Sequence, residues 1–181
     1  MTPNEARFGT TIQFHPVTKN RLADLARFSA RHGRFRYCSC MRWRMTSGEF
    51  RRSSGEKRAA ALEELVRRGT PVGVLAYADG EPIAWCSIAP RETYAALERY
   101  RALPRLDESP VWSVVCFFVD RRFRRQGLTH GLLNAAVEYA RSEGAGFALV
   151  HLHGVFSGLS ADRLQGRDPR GAGSSRDEVL H

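Results

Sequence analysis

Residues 124–129 combine side chains and a backbone type that suit the binding of an anion. Arg124 and Arg125 precede Gly127, at the point where an apolar strand-like run ends and a helical pattern begins. The first amides of a helix lack intrahelical acceptors and carry partial positive charge, so a di-anion placed there accepts several hydrogen bonds. Glycine leaves room for that approach, and two guanidinium groups add charge. The pattern predicts a pyrophosphate-binding turn, with a merely basic surface turn as the alternative.

Two common nucleotide-binding patterns do not fit this chain. No Gly-Lys-Ser or Gly-Lys-Thr follows the turn, which excludes a P-loop. No Gly-x-Gly pair follows the first predicted strand, which excludes a dinucleotide-binding fold of the usual kind. The anion predicted at Gly127 therefore belongs to another class of ligand.

Hydrophobic periodicity predicts the elements that position this turn. Residues 111–119 (VWSVVCFFV) form a continuous apolar run, typical of a strand covered on both faces, and we place them at the centre of a sheet. Apolar residues then recur at helical spacing from Leu128 to Ala140, and Gly144 ends that helix. Residues 147–152 read as the next strand.

The first half of the chain predicts further elements of the same domain. We expect a strand at 11–14, a helix at 20–31, and a helix that starts at the capping sequence 53–56 and stops at Gly69. Strands at 72–77 and 82–89 flank an Asp-Gly pair, which is a strong hairpin signal, and a short helix follows at 94–101. Residues 34–44 (RFRYCSCMRWR) lack periodicity and predict an irregular loop, either a substrate-side binding groove or a basic surface loop.

Composition limits the class of protein. A length of 181 residues and a hydrophobic content of 43% fit one compact α/β domain. No apolar run approaches the roughly 20 residues that span a bilayer, and the amino terminus lacks the apolar stretch of a secretion signal, so we expect a cytoplasmic protein with no membrane contact. The net charge of +9 comes from 28 basic residues, of which only Lys19 and Lys57 are lysines. Arginine suits phosphate, but codon bias gives the same excess, so a basic nucleic-acid-binding domain stays open as the competing and less favoured class.

The cysteines give little sign of chemistry of their own. Cys38, Cys40, Cys86 and Cys116 are expected as thiols, because cytosolic redox buffers disfavour disulfides. The Cys38-x-Cys40 pair has no histidines at matching spacing, so we expect no metal site. Cys116 lies mid-strand, where a core thiol is the more frequent finding than the nucleophile of a covalent acyl intermediate.

Other side chains leave two interpretations open. Glu108 is either a general base acting through water or, as we favour, an exposed loop carboxylate, and His130 either contacts phosphate or faces solvent. Trp85, Trp112 and Phe117 are expected in the core or a pocket wall, whereas Tyr37 and Trp43 are candidates for an acceptor site. No catalytic residue is assigned.

The run Arg124-x-x-Gly127-x-Thr129 resembles the acetyl-CoA signature Arg/Gln-x-x-Gly-x-Gly/Ala of the GNAT family of N-acetyltransferases. A hydrophobic strand precedes it, Leu132 and Leu133 follow in the helix, and the order of elements over residues 11–152 is that of the family. Thr129 departs from the small residue of the signature, and its branched side chain narrows the approach to phosphate.

The resemblance implies a GNAT-like fold, a mixed and mostly antiparallel central sheet flanked by helices, with acetyl-CoA as acyl donor. It implies that the acetyl group passes by direct attack to an amine of a small molecule or peptide, which the sequence does not identify. The implied cofactor contacts are the main chain of the central strand for the pantetheine arm and the turn for the pyrophosphate, namely Phe117, Phe118, Val119, Arg124, Arg125, Gln126, Gly127, Leu128 and Thr129.

The carboxyl-terminal part departs from the family pattern. We expect a GNAT-like domain at residues 1–153 and an atypical tail at 154–181, polar, rich in glycine and arginine, and disordered by composition. The family would place a helix, a Gly-Phe turn and a strand hairpin there, so these are missing or altered. Read one nucleotide later, the codons of residues 163–169 permit Gly-Phe-Lys-Asp-Val-Ile, so a frameshift is a second hypothesis.

A missing hairpin has two consequences for the expected function. It leaves an unpaired sheet edge that a second copy of the chain would cover, which predicts a homodimer. It also leaves an inactive CoA-binding remnant open as an alternative to an active acetyltransferase.

Overall fold

The structure, a computed structural model, describes residues 11–99, 110–145, 147–150 and 178–180. Six strands form one sheet in chain order. The first four pair antiparallel, the fourth and fifth pair parallel, and the last two pair antiparallel. This confirms the predicted mixed, mostly antiparallel sheet. The strands are β1 (Ile12–Pro16), β2 (Val74–Ala78), β3 (Glu81–Pro90), β4 (Val111–Val119), β5 (Phe147–Val150) and β6 (Glu178–Leu180).

Six α-helices lie within the described residues, and four of them were predicted from the sequence. They are α1 (Leu22–Arg31), α2 (Gly33–Cys38), α3 (Ser47–Arg52), α4 (Gly55–Arg67), α5 (Ala95–Glu98) and α6 (Leu128–Ser142). The Ser54 hydroxyl caps α4 by accepting from the Lys57 amide at 3.2 Å, and Gly69 follows its end in the left-handed conformation. Short 3₁₀ turns precede α1 and follow β3 and β4. None of the helices in these ranges is long and apolar enough to cross a membrane.

The β2–β3 hairpin has the turn that its sequence predicts. Asp79 and Gly80 have φ values of 49° and 76°, as the two central residues of a type I′ turn require. The turn matches the twist of the two strands and fixes their register, in which Leu75 lies opposite Trp85. The hairpin thereby aligns β3 for its long pairing with β4.

Separate apolar cores cover the two faces of the sheet. On one face α6 packs Leu132, which is fully buried, against strand residues that include Phe117. On the other face α1, α2 and α4 pack around Trp85, with Phe28 and Leu62 in the same cluster. Because side chains alternate along a strand, consecutive residues of β4 point into different cores. The end of β4 is therefore fixed from both sides.

The structure corrects the prediction for residues 34–44. Their first part is the short helix α2, which buries Phe35 in the second core, and Ser39 and Cys40 then turn the chain with φ values of 44° and 52°. Helix α3 was not predicted either. A capping box begins it, since the Glu49 amide donates to the Thr46 hydroxyl and the Thr46 amide donates to the Glu49 carboxylate.

Part of the expected tail can be compared with the structure. Residues 178–180 form the three-residue strand β6, which pairs with β5 although the tail pattern predicts no strand. Residues 151–177 and 181, which include the rest of the expected tail, lie outside the described residues. Glu108 lies outside them as well.

Candidate cofactor site

The turn between β4 and α6 adopts a conformation that few residue types accept. After Val119, Asp120 caps a 3₁₀ turn at Arg121–Phe123. Arg125 then has a φ of 60° and Gly127 a φ of 82°, both in the left-handed region. For L-residues this conformation costs about 1–2 kcal/mol, which glycine avoids. The glycine of the motif is thus explained by backbone geometry, while Arg125 holds a strained conformation.

Side chains of the turn hold its shape by bonding to nearby carbonyls. Arg124 donates from Nε to the Val119 carbonyl at 2.8 Å, and Gln126 donates from Nε2 to the Arg122 carbonyl at 2.8 Å. The Asp120 amide donates to the Ile83 carbonyl at 2.9 Å, which ties the start of the turn to β3. Arg124 is therefore a structural part of the turn as well as a source of charge, because its Nη atoms remain for another acceptor.

The amino-terminal end of α6 has no side-chain cap. Gly127 is the N-cap and offers no side-chain acceptor, and the His130 amide bonds back to the Gly127 carbonyl at 3.1 Å. Within the described residues no side chain caps the amides of Leu128 and Thr129. Leu128 itself is buried in the α6 core, so it presents only its backbone to the outside of the turn. This end of a 15-residue helix can accept an anion.

Within the described residues, the edge of β4 has no strand partner on the β5 side beyond Val114. The parallel pairing runs from Val111 to Val114, which lies opposite Val150, the last described residue of β5. On the opposite edge, the pairing with β3 shifts register, so that Ser87 lies opposite Cys116 and Ile88 opposite Val114, leaving Val115 as an extra residue. Among the described residues no strand continues beside residues 115–119 on the β5 side. An extended ligand can lie along this edge and end at the turn.

A basic cleft of about 790 Å³ adjoins the turn on the α1 side. It lies between the junction of α1 with α2 and the segment that leaves β4. Four arginines and one carboxylate surround it, together with a histidine, a phenylalanine and a glycine. The lining residues are Arg31, His32, Gly33, Phe118, Asp120, Arg121, Arg122 and Arg124.

Asp120 and His32 face each other at the base of this cleft. The Asp120 carboxylate accepts from Arg122 Nη2 at 2.9 Å and from the Arg122 amide at 3.0 Å, and these bonds hold the pKa of Asp120 below its usual value. His32 Nε2 lies 3.8 Å from Asp120 Oδ2, too far for a hydrogen bond, and has no partner among the described residues. Burial lowers the pKa of His32, since the opposing effect of Asp120 is the smaller one. The imidazole is therefore neutral at pH 7.

The predicted cofactor residues lie together, although their side chains do not all face one space. Phe117 packs into the α6 core and Val119 is buried beside it, whereas Phe118 packs against Phe28 and the His32 ring on the other face. Their main chain, rather than their side chains, is what the open edge of β4 presents. The remaining predicted residues form the turn, with Arg124 and Arg125 exposed and Thr129 half-buried.

The other candidates take different positions. Trp85 and Trp112 are buried in the two cores, as predicted, and His130 is exposed. Tyr37 is exposed on α2, away from the turn, whereas Trp43 is half-buried against the cluster of Tyr94 and its neighbours. Sequence reasoning found neither Asp120 nor the residues at the α1–α2 junction as part of a site, because their proximity depends on contacts distant in the chain.

Two of the four thiols are buried, Cys40 and Cys86, and the other two are half-buried. All four are free, and Cys40 accepts a hydrogen bond from Trp85 Nε1 at 3.1 Å. Burial raises the pKa of Cys86, and contact with Cys116 together with burial raises the pKa of Cys40. Cys116 is half-buried next to both apolar clusters of that face. In the part of the chain that the structure describes, no three His, Cys, Asp or Glu side chains come together as metal ligands would.

Comparison with known families decides the class. The sequence model of the acetyltransferase (GNAT) family matches residues 38–163, which is more than half of the chain and includes β4, the turn and α6. The chain belongs to the GNAT family. The family membership and the fold predicted from the sequence are therefore confirmed. No curated protein sequence matches the chain.

Solved structures show the same GNAT fold. The aminoglycoside N-acetyltransferase AAC(6')-Iy in complex with CoA has a TM-score of 0.54 at 18% identity, and the match covers 84% of this chain and 81% of that one. The same enzyme with the bisubstrate analogue CoA-S-monomethyl-acetylneamine gives 0.53 at 18% identity, with 79% and 80% covered. AAC(6')-IG from Acinetobacter haemolyticus gives 0.50 at 17% identity, with 78% and 79% covered. At these identities the likeness establishes the fold.

Proposed function

We propose that this GNAT protein is an acetyl-CoA-dependent N-acetyltransferase that acetylates an amine of a small molecule or peptide. One observation carries the proposal: the uncapped end of α6 lies at the end of a strand edge that no described residue of β5 covers after Val114. A helix end alone binds many anions, and an open strand edge alone binds many peptides. Their succession suits a ligand with an amide-bearing arm and a diphosphate, which is the chemistry of CoA.

The residues present fit this donor. Backbone amides of Arg125, Gln126, Gly127, Leu128 and Thr129 would hold the pyrophosphate, with added charge from the exposed guanidinium groups. The main chain of residues 117–119 would pair with the amides of the pantetheine arm. Acetyl-CoA, when bound, supplies an activated acetyl thioester. What the protein adds is position, because an amine held against a fixed carbonyl reacts as if at a high effective concentration.

Residues that move the proton are not assigned to this site. Strand β4 has no carboxylate and no histidine along its nine residues, and Asp120 comes only after its end. Cys116, opposite Ser87 at the register shift, is half-buried beside a buried thiol whose pKa is raised. Because β4 supplies no base that could activate this thiol, direct attack by the amine remains the proposed route.

The acceptor of the solved relatives does not transfer directly. Their names specify aminoglycosides, which are polycationic, whereas four arginines line the cleft beside this cofactor site. Like charges at a binding site disfavour such an acceptor. We therefore expect the acceptor to carry less positive charge than an aminoglycoside.

Binding of acetyl-CoA tests the proposal most directly. At a concentration of about 100 times its Kd, the ligand should stabilise the protein by about 2.7 kcal/mol, which raises the melting temperature by roughly 5–11 °C for a chain of this size. Gly127→Asp should abolish that shift, because its carboxylate would occupy the position of the phosphates, and the isosteric Gly127→Asn should retain part of it.

Gly144→Asp is the matched control for this experiment. Gly144 follows the other end of α6 with a φ of 86° and open space around its Cα, so the same substitution brings similar backbone strain. That position is about 25 Å from Gly127 along a helix that rises about 1.5 Å per residue. An equal loss of the acetyl-CoA shift in Gly144→Asp and Gly127→Asp would reject the site.

Two other outcomes separate the alternatives. If acetyl-CoA binds but no thiol is released in the presence of a panel of primary amines, the chain is a CoA-binding remnant. If acetyl-CoA causes no shift while single-stranded oligonucleotides bind with a steep dependence on salt, the nucleic-acid-binding function replaces the proposal.

A further inference from the structure

The basic cleft beside the turn has more positive charge than the turn itself uses. Its lining has four guanidinium groups and one carboxylate, which leaves an excess of three positive charges with His32 neutral. Arg122 is paired with Asp120, and Arg31 reaches Glu81 at 3.0 Å. The side chain of Arg121 has no ion pair or hydrogen bond within the described residues, and Arg124 uses only its Nε. Two guanidinium groups thus keep donors available on one side of the cleft.

A buried polar group at the base of the cleft is also unpartnered. The His32 side chain is only 10% exposed, and its Nε2 is buried without a hydrogen-bond partner among the described residues. A buried polar atom in this state loses its bonds to water without replacement, which costs about 1–3 kcal/mol. The ring is held in place by edge contacts with Phe28 and Phe118, at centroid distances of 4.7 Å and 4.8 Å. Its orientation towards the base of the cleft is therefore fixed by packing.

We propose that this cleft is a phosphomonoester site, separate from the pyrophosphate turn at the end of α6. A phosphomonoester has up to two negative charges and three terminal oxygens. It therefore suits two guanidinium groups and one imidazole better than a ligand with a single carboxylate group would. Asp120 does not oppose this ligand strongly, because Arg122 neutralises it through three hydrogen bonds. The cleft volume of about 790 Å³ leaves room for the group that carries the phosphate.

Such a phosphate has two chemical sources. It can be the phosphomonoester on the ribose of CoA, whose diphosphate would lie one turn away, and this source rests on the proposed function. It can equally belong to a phosphorylated acceptor. The chemistry of the site is the same for both, and the experiment below distinguishes them.

Arg121→Gln is the variant that tests the site, because this side chain is exposed and its replacement removes no internal bond. Arg51→Gln is its control, since Arg51 is an exposed arginine at the end of α3 outside the cleft. Inorganic phosphate binding is measured by titration calorimetry at fixed ionic strength. We expect the loss of one charge-assisted contact to weaken phosphate binding by about tenfold in Arg121→Gln, and the control to change by less than about twofold.

A second pair of variants changes the charge of the cleft without removing a guanidinium group. A Cβ on Gly33 would meet nothing within 4 Å, and its φ is not in the left-handed region, so a side chain fits there. Gly33→Glu should abolish the part of phosphate binding that depends on Arg121, whereas Gly33→Gln of the same shape should retain most of it. Melting temperatures within a few degrees of wild type establish that both variants are folded.

The source is found by titrating acetyl-CoA and its 3′-dephospho analogue into wild type and Arg121→Gln. If the ribose phosphate occupies the cleft, its removal weakens binding about tenfold in wild type and little in the variant. If removal weakens binding equally in both proteins while phosphate still requires Arg121, the cleft serves a phosphorylated acceptor. Either result supports the site.

The proposal is overturned if wild type binds no inorganic phosphate, or if Arg121→Gln and Arg51→Gln bind it equally well. Failure of the proposed function has a different signature. In that case acetyl-CoA does not bind wild type at all, while phosphate binding still depends on Arg121 and on the charge at position 33.

Discussion

Arg125 provides a test in which stability and cofactor binding should change in opposite directions. Its φ of 60° lies in the left-handed region, where a side chain costs about 1–2 kcal/mol. Glycine at this position removes that cost but adds about 0.4–1 kcal/mol of chain entropy to the unfolded state. Arg125→Gly should therefore stabilise the free protein by about 0.5–1 kcal/mol, or roughly 1–4 °C in melting temperature.

The same substitution should weaken acetyl-CoA binding. Removal of one exposed guanidinium group beside the phosphates should cost about 1 kcal/mol, or about fivefold in affinity. Differential scanning calorimetry measures the first effect and titration calorimetry the second. Arg125→Ala is the control, because it removes the charge and keeps the positive φ, so it should lose affinity without gaining stability.

Two results would refute this reasoning. If Arg125→Gly is no more stable than Arg125→Ala, the backbone at this position is not strained in solution. If both variants bind acetyl-CoA as tightly as wild type, Arg125 does not face the phosphates, and only the amides of the turn remain as candidate contacts.

Three further predictions concern the scaffold. Arg58 is buried and donates hydrogen bonds to three backbone carbonyls. Arg58→Met should therefore lower the unfolding free energy, measured by urea denaturation, by about 2–4 kcal/mol. A loss below about 0.5 kcal/mol would contradict this structural role. Gly73 has a φ of 152°, and a Cβ there would lie 2.1 Å from the Cys86 carbonyl oxygen. Gly73→Ala should therefore lower the free energy of unfolding by about 1–3 kcal/mol or more. Unchanged stability would show that the backbone near Gly73 and Cys86 moves apart at little cost. Burial lowers the pKa of His32 below its unfolded value of 6.5, so the unfolded chain binds more protons and the free energy of unfolding should fall as pH drops through 6.5. His32→Gln should flatten this dependence on pH and leave only the part due to His15, whose pKa is also lowered. An unchanged dependence would exclude His32 as its source.

The central elements could be predicted because local and tertiary preferences agree there. Strand β4 has the bounds that its apolar run predicts, and α6 begins at Leu128 as its periodicity indicates. The hairpin at Asp79 and Gly80 was identified from turn chemistry alone. In each case the side-chain pattern and the backbone requirement lead to the same structure.

The elements that the sequence did not reveal depend on contacts between distant residues. Helix α2 has only six residues, too few to show a period, and it is held by Phe35 against Trp85 at a centroid distance of 5.6 Å. The spacing of Thr46 and Glu49 fits a capping box and indicates the start of α3, but the residues that follow show no helical periodicity of apolar side chains. The cleft could not be predicted, since His32 and Asp120 are separated by four helices and three strands in the chain.

At the edge of β4 that we propose as the pantetheine site, cofactor recognition would not depend on amino-acid identity. What residues 117–119 offer there is peptide groups, and every residue type except proline supplies the same donor and acceptor. The side chains of Phe117 and Phe118 serve the two cores instead, so they are free to change with the packing on either face. Proteins of low sequence identity could thus bind the pantetheine arm in the same way, provided that the main chain of this strand keeps its course.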